Sequence, residues 1–265
     1  MKHLIDYWDK VSRLLKNNYI FLFLDYDGTL TPIAETPEKA SLPLNTRELL
    51  MKMAESPRFK LAIITGRALE NIKKMIGVKG VIYAGNHGLE IEGPKIKFSC
   101  PVVMQSKLVI QKIKKDLVSR LSAIRGVIVE DKILTLSIHF RRAETGEQRK
   151  IKKIINEVSR SYAIKKMVRI TSGKKVFEVR PYLDWDKGKV VLWLFARQQF
   201  ITGVKKCLPV YIGDDITDED AFRMLKDKGL TILVGRPRGT HAQYYLKNTK
   251  EVFNFLEQIS EIHRG

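Results

Sequence analysis

Two aspartates come directly after the most hydrophobic stretch of the N-terminal region. Residues 19–24, YIFLFL, lead into Asp25 and Asp27, which are separated by Tyr26 and followed by Gly28. Like charges this close repel each other unless a proton or a cation neutralises them. Carboxylate oxygens suit Mg²⁺, which also binds phosphate. The pair therefore indicates either a simple Asp-Gly turn or a centre for metal-dependent phosphate chemistry.

Further polar residues follow the other apolar segments of the chain. Because ligands bind at the carboxyl ends of strands in open α/β sheets, we expect these residues to meet at one edge of a sheet. They are Thr65, Gly66 and Arg67 after residues 61–64, Asn86 and His87 after residues 81–84, Asp214 and Asp215 after residues 208–212, and Lys187 at the start of a helix. The set predicts up to four carboxylates, a hydroxyl and an ammonium at that edge.

These residue types suit phosphoryl transfer. One aspartate can attack phosphorus and become an aspartyl-phosphate, while a second one moves a proton. Thr65, Lys187 and the backbone N–H groups after Asp27 can hold the phosphate. The residue types alone leave open which of the two aspartates attacks.

Each candidate also has a structural explanation. Thr65 suits the N-cap of the helix that follows it, and the acids at 218–220 suit the first turn of a helix. Arg67 suits an ion pair, and His87 suits a structural role in a loop bounded by glycines. For Thr65 the structural and the chemical roles are compatible.

The order of the predicted elements indicates an α/β protein with an insertion. Strands within 19–25, 60–66, 80–88, 207–215 and 230–235 alternate with helices near 45–55, 68–76, 186–199, 217–226 and 250–262, a pattern typical of a doubly wound parallel sheet. In between, a helix near 105–123, two strands in 126–140, a helix near 146–161 and a hairpin in 168–181 predict an α+β unit. We expect a Rossmann-like core domain of residues 1–102 and 183–265 and an inserted domain of residues 103–182.

Two local features are also predicted. Asn45 and Glu48 have the spacing of a capping box at the start of a helix. Ser172 and Gly173 are expected to form the turn of the hairpin in 168–181.

Composition places the chain among ordinary globular proteins. Of its 265 residues 44% are hydrophobic and 29% are charged, and no apolar run approaches the roughly 18 residues of a membrane span. Its N-terminus is too polar and too acidic for a secretory signal, and its two cysteines, Cys100 and Cys207, lack metal-type spacing. We expect a cytoplasmic monomer without a membrane partner.

The net charge of +19 is consistent with two classes of function. A basic balance is typical of nucleic-acid binding, and in that case the acidic site would be vestigial. The same charge suits an enzyme that acts on anionic substrates, or a lysine-rich solvated surface. Because the lysines are spread along the whole chain, without a basic tail or an aromatic-rich basic stripe, we expect no nucleic-acid partner.

Several motifs resemble those of one known family. DYDGTL (25–30) is similar to the D-x-D-G-T-L signature of the haloacid dehalogenase-like phosphatases, and Thr65, Lys187 and GDD (213–215) follow in the order of that superfamily. The segments LDYDGTLTPI, ITGR, GNHGLEIEGP, VFEVRP, DKGKVV and IGDDITDEDAF together resemble the trehalose-6-phosphate phosphatases. The motifs span residues 22–222, so the resemblance covers essentially the whole chain.

The resemblance implies a role for each motif residue. Asp25 is implied as the nucleophile, and Asp27 as the acid that protonates the leaving sugar oxygen and then as the base that activates water. Mg²⁺ is implied between the Asp25 carboxylate, the Asp27 backbone carbonyl and Asp214. Thr65 and Lys187 are implied as phosphate ligands.

The resemblance also implies a substrate and a cap domain. The insertion would be the cap, in which Glu178 binds glucose hydroxyls; Arg67, His87 and the supporting acids Asp215 and Asp218 complete the substrate-binding set. The implied reaction is the Mg²⁺-dependent hydrolysis of trehalose 6-phosphate through an aspartyl-phosphate, with another sugar phosphate or a phosphorylated glycoside as the alternative substrate. The chain departs from the family at Asp186, where asparagine often stands before the catalytic lysine.

Overall fold

The chain folds into two compact units. The computed structural model describes residues 1–101, 103–173, 175–203, 206–237 and 239–262. The first unit consists of Met1–Lys97 and Trp185–Gly265, and the second of Phe98–Asp184. The chain therefore leaves the first unit once and returns to it, so the second unit is an insertion.

The described residues form strands and helices in the following order. The strands are β1 (Lys2–His3), β2 (Tyr19–Leu24), β3 (Phe59–Ile64), β4 (Ile82–Gly85), β5 (Glu90–Gly93), β6 (Ile96–Ser99), β7 (Ile128–Asp131), β8 (Leu136–His139), β9 (Val168–Gly173), β10 (Val176–Pro181), β11 (Cys207–Gly213), β12 (Leu230–Val234) and β13 (Tyr244–Leu246). The α-helices are α1 (Trp8–Lys16), α2 (Leu44–Glu55), α3 (Leu69–Ile76), α4 (Val103–Leu121), α5 (Gln148–Ile164), α6 (Lys187–Thr202), α7 (Glu219–Leu225) and α8 (Thr249–Ile262). Within the described ranges, every helix is too short or too polar to cross a membrane.

A mixed, largely parallel sheet forms the first unit. Its nine strands follow the order β1-β13-β12-β11-β2-β3-β4-β5-β6. The strands from β1 to β4 in this order pair in parallel, and β5 runs antiparallel to β4. This sheet with its helices confirms the predicted α/β core.

The central strand β2 is apolar throughout because both of its faces are covered. Phe21 and Phe23 stack on one face with ring centroids 4.1 Å apart. Ile20, Leu22 and Leu24 belong to the main core of the unit. A strand that is buried on both faces has no need of alternating polar residues, which is why YIFLFL reads as one hydrophobic run.

Two features of the first unit differ from the sequence-based expectation. Strands β1 and β13 were not predicted, because two or three residues are too few to show a period. The prediction of a capping box at Asn45 and Glu48 was wrong, because α2 begins at Leu44 after Pro43 and has no side-chain cap. The Asn45 side chain instead accepts a hydrogen bond from the backbone N–H of Thr46 at 2.8 Å.

The second unit is an antiparallel sheet packed with helices. Its strand order is β7-β8-β10-β9, and α4 and α5 contribute to its own hydrophobic core. The hairpin turn predicted at Ser172 and Gly173 lies further along the chain, because Gly173 still pairs with Val176. Lys175, which precedes Val176, has φ +62°, a value typical of tight hairpin turns.

Candidate active site

The ends of three neighbouring strands bring the central acids together. Leu24 of β2 pairs with Ile212 of β11 and Ile63 of β3, so these strands end at almost the same height. The backbone N–H of Asp25 continues the ladder by donating to the Ile212 carbonyl at 3.0 Å. Asp25, Thr65 and Asp214 therefore follow their strands at one edge of the sheet, as the sequence predicts.

Lys187 enters this edge from the first residue of α6. Its ammonium donates to Oδ1 of Asp25 at 2.8 Å and to Oδ1 of Asp218 at 2.7 Å. The helix start is fixed by Asp186, whose carboxylate accepts from the backbone N–H of Lys189 at 2.9 Å. Asp186, the position that departs from the family pattern, is thus a good N-cap and presents Lys187 to the acids.

Burial and charge compete at Lys187 and Asp25. Burial alone would lower the pKa of Lys187, but the carboxylates of Asp218 and Asp25 outweigh it and raise that pKa above its ordinary value. Burial raises the pKa of Asp25 well above its usual range, opposed by the Lys187 ammonium and reinforced by Asp218 and Asp214. This cluster holds more negative charge than one lysine balances, which favours binding of a cation.

Asp218 is the structural anchor of the cluster. It is 0% exposed, and besides Lys187 it accepts from the Tyr211 hydroxyl at 2.7 Å and from the backbone N–H groups of Asp214 and Asp215 at 3.0 and 2.9 Å. Four internal donors therefore occupy both carboxylate oxygens of Asp218, which suits the supporting role that the resemblance implies for this residue. Asp215 precedes the short helical turn that contains Asp218 and serves as its N-cap residue.

Tyr211 is a site residue that sequence reasoning missed. Burial, followed by the charge of Asp218, raises its pKa well above the ordinary value, so its hydroxyl stays protonated and donates. A signal was present in the sequence, because a tyrosine inside a continuous apolar strand needs a partner for its hydroxyl.

Three buried carboxylates could hold a metal ion. Within the described residues, ligand atoms of Asp25, Asp214 and Asp218 lie within 4.8 Å of one another. Since Asp218 already has its four donors, Asp25 and Asp214 are the ligands that this set offers to a cation. Gly28, with φ +88°, allows the close approach of Asp214, because a Cβ there would lie 2.3 Å from Oδ2 of Asp214. Hard oxygen ligands in such a cradle fit a divalent cation.

Asp27 pairs with a different cation from Asp25. Its Oδ2 accepts from Nε of Arg67 and its Oδ1 from Nη2 of Arg67, both at 2.7 Å. The guanidinium of Arg67 is also 5.3 Å from the centre of the Tyr26 ring. The two aspartates of the D-x-D motif are therefore held by two separate basic residues.

The loops after β3 and β4 support each other. The Thr65 hydroxyl accepts from the backbone N–H of Arg67 at 3.2 Å, and the Thr65 carbonyl accepts from the N–H of His87 at 2.8 Å. Thr65 is not the N-cap of the next helix, since Ala68 holds that position before α3. The buried His87 has φ +57°, and its ring packs on Gly66, where a Cβ would lie 2.8 Å from Nε2 of His87.

Glu178 lies in the second unit. Its neighbours Phe177 and Val179 both belong to the core of that unit, so Glu178 points to the opposite face of β10. It is buried beside Lys132, whose ammonium is 3.4 Å from Oε1 of Glu178, and its Oε2 is 4.0 Å from Nη1 of Arg180. Lys132 was not singled out from the sequence, because nothing local distinguishes it from the other lysines.

Comparison with known proteins identifies the family. Residues 23–250 match the family model described as Trehalose-phosphatase. The chain is 35% identical to trehalose-phosphate phosphatase B of Arabidopsis thaliana, over 98% of this chain and 71% of that protein. It is 34% identical to trehalose 6-phosphate phosphatase RA3 of Zea mays, over 92% of this chain and 71% of that protein.

Solved structures share the fold. The C-terminal domain of Candida albicans trehalose-6-phosphate phosphatase superposes with a TM-score of 0.81 at 25% identity, over 96% of each chain. A trehalose-6-phosphate phosphatase related protein superposes with a TM-score of 0.79 at 26% identity, over 91% of this chain and 97% of that one. The fold and the match over most of the sequence agree, and the chain belongs to the trehalose-phosphatase family.

Proposed function

We propose that this protein hydrolyses trehalose 6-phosphate to trehalose and inorganic phosphate through an aspartyl-phosphate on Asp25. The observation that carries the proposal is the buried cluster in which the Lys187 ammonium lies 2.8 Å from Oδ1 of Asp25. A buried nucleophile beside a fixed positive charge suits attack on a phosphate monoester, whose transition state gains most from positioning and charge stabilisation.

The proposed reaction has two steps. In the first, an Asp25 oxygen forms a bond to phosphorus while the bond from phosphorus to the sugar oxygen breaks, and Asp27 gives a proton to that oxygen. In the second, Asp27 takes a proton from water, the water oxygen bonds to phosphorus, and the bond to Asp25 breaks to release phosphate. Two carboxyl groups with different neighbours suit this division of roles.

Mg²⁺ is the cofactor that we propose for the acidic cluster. The carboxylates of Asp25 and Asp214 and the backbone carbonyl of Asp27 would hold it. When bound, the ion would neutralise charge on the phosphate and on the cluster. The oxygen-only donor set and the excess of negative charge around Asp25 support this choice.

The remaining site residues are assigned to phosphate and sugar. Thr65 and Lys187 would hold the phosphate, and Asp218 with Asp215 would support Lys187 and Asp214. His87 would contact substrate from the loop after β4. Glu178 would accept hydrogen bonds from glucose hydroxyls, with residues 103–182 acting as the cap domain. A cytoplasmic monomer remains the prediction from the sequence.

A panel of phosphate esters tests this function directly. Phosphate release would be measured with Mg²⁺ for trehalose 6-phosphate, sucrose 6-phosphate, glucose 6-phosphate and p-nitrophenyl phosphate. We expect the highest kcat/KM for trehalose 6-phosphate. A higher kcat/KM for another sugar phosphate or for a phosphorylated glycoside would leave the proposed mechanism intact. It would show that trehalose 6-phosphate is not the preferred substrate.

Net charge favours one further candidate, a nucleic-acid-binding protein with a vestigial site. The chain carries a net charge of +19. A titration with duplex DNA and RNA at several salt concentrations separates the two functions, because binding through phosphate contacts weakens steeply with salt. Tight, salt-sensitive binding of DNA or RNA by a protein without phosphatase activity would contradict the enzymatic proposal and favour nucleic-acid binding.

A further inference from the structure

We propose that Arg67 is a positioning residue for Asp27, and that it holds this carboxyl group where it can exchange a proton with the leaving oxygen. This inference rests on the proposed function. It replaces the role of substrate ligand that the sequence predicted for Arg67.

The contact between the two side chains is bidentate. Nε and Nη2 of Arg67 each donate to a different oxygen of Asp27 at 2.7 Å. The Asp27 side chain is 38% exposed, whereas that of Arg67 is only 7% exposed. A half-exposed aspartate on its own has several staggered rotamers available, and a fork of two parallel hydrogen bonds selects one of them.

Arg67 is itself immobilised by the protein. Nη1 donates to Oδ1 of Asn71 and to Sδ of Met75, both at 3.2 Å, and Nη2 also donates to the carbonyl of Pro37 at 2.9 Å. Together with the two bonds to Asp27, these contacts use all five N–H groups of a guanidinium. Arg67 therefore keeps no donor for a phosphate or a sugar. Because its guanidinium is fixed in place, it also restrains the carboxylate of Asp27.

Asp27 retains capacity for the reaction in this arrangement. A carboxylate offers about four lone-pair positions, and Arg67 occupies one on each oxygen. The remaining lone-pair positions are open to a substrate, because the Asp27 side chain is partly exposed to solvent. Arg67 thus sets where the oxygens lie without blocking them.

The dependence of rate on the leaving group distinguishes positioning from a general structural role. A sugar alkoxide is a poor leaving group and needs the proton from Asp27, whereas p-nitrophenolate leaves without one. Misplacing Asp27 should therefore slow the transfer of phosphate from trehalose 6-phosphate and spare the transfer from p-nitrophenyl phosphate. The quantity to compare is kcat/KM, which covers the steps up to formation of the aspartyl-phosphate.

The experiment measures kcat/KM for both substrates in the wild type, Arg67→Met and Arg67→Lys. We expect Arg67→Met to lose about 100-fold on trehalose 6-phosphate, the scale of general acid catalysis, and less than about 3-fold on p-nitrophenyl phosphate. Arg67→Lys should recover part of the loss, because an ammonium keeps the charge but cannot form the fork. The ratio of the two kcat/KM values does not depend on how much of a sample is folded.

Arg47 offers a matched control. Its Nη2 donates to the backbone carbonyl of Met75 at 2.9 Å, so Arg47→Met also removes a guanidinium beside the end of α3. We expect this variant to keep the wild-type ratio. In an Asp27→Asn background, Arg67→Met should add less than about 3-fold, since two residues that act as a unit are not additive.

Each result bears on the inference. An equal fall for both substrates, or an additive effect in the Asp27→Asn background, would overturn it and leave the proposed function intact. A wild type that hydrolyses p-nitrophenyl phosphate but no sugar phosphate would overturn the substrate alone, and the ratio would then be measured on another alkyl phosphate. A wild type without phosphatase activity would overturn both.

Discussion

The ammonium nitrogen of Lys187 lies 2.7 Å from Oδ1 of Asp218, and the two side chains are only 3% and 0% exposed. Asp218 also accepts from the Tyr211 hydroxyl and from two backbone N–H groups. Asp218 therefore holds in place the lysine that faces the proposed nucleophile.

Replacing Lys187 should affect stability as well as activity. Lys187→Met leaves Asp25 and Asp218 buried without their cation, which is expected to cost about 3–5 kcal/mol of unfolding free energy. Urea unfolding measures the loss, and the exposed Lys226→Met is the control. A loss below about 1 kcal/mol would contradict the view that this ion pair anchors the site.

Asp25→Asn should separate chemistry from folding. The amide keeps the shape of the side chain but is a poor nucleophile, so we expect kcat for trehalose 6-phosphate to fall by at least about 10⁴-fold. Circular dichroism and the unfolding midpoint should stay close to those of the wild type. Substantial residual turnover would show that Asp25 is not the nucleophile.

Removal of metal should stop the reaction reversibly. Treatment with a chelator is expected to abolish phosphate release, and added Mg²⁺ should restore it. Because a ligand that binds only the native state stabilises it, Mg²⁺ at 100 times its Kd should raise the unfolding free energy by about 2.7 kcal/mol. Asp214→Asn should lose this stabilisation, and a variant that kept it would exclude Asp214 as a ligand.

Gly28→Ala tests the cradle around Asp214. The residue has φ +88°, and a Cβ would lie 2.3 Å from Oδ2 of Asp214. We expect a destabilisation of about 1–3 kcal/mol together with weaker Mg²⁺ binding, measured by titration calorimetry. Gly203→Ala is a suitable control, because it has φ +62° but nothing within 4 Å of its Cβ position. Equal Mg²⁺ affinity in both variants would contradict the view that Gly28 gives Asp214 the space that it needs to bind the cation.

Glu178→Gln tests the proposed contact with the sugar. Loss of a charged acceptor is worth about 1.5–3 kcal/mol, so kcat/KM for trehalose 6-phosphate should fall by about 10–100-fold, mainly through KM. The value for p-nitrophenyl phosphate, which has no glucose hydroxyls, should not change. Glu157→Gln, on α5 of the same unit, is the control for loss of an acid. A parallel fall for both substrates would argue for a structural role of Glu178.

Much of the site could be predicted from the sequence because its residues come directly after buried strands. Asp25 follows β2 and Asp214 follows β11, and the carboxyl ends of adjacent parallel strands share one edge. The same logic identified Thr65. It did not identify Tyr211 and Lys132, whose partners lie in other elements and leave no local pattern.

The short strands and turns were the weakest part of the prediction for a similar reason. β1 and β13 pair with each other through residues about 240 positions apart, as between Lys2 and Tyr244. A segment of two or three residues has no period of its own, so only its partner makes it a strand. The hairpin turn after Gly173 was likewise set by the register of β9 against β10.

The α/β class, the inserted α+β unit and the residue types of the site can be recognised from the order of the amino acids. Hydrophobic periodicity and motif spacing are properties of neighbouring residues, so they can be seen along the chain. The pairing of Asp25 with Lys187 and of Asp27 with Arg67 becomes visible in the folded chain. These partners are 162 and 40 positions apart, and which cation reaches which carboxylate depends on how distant strands and helices pack.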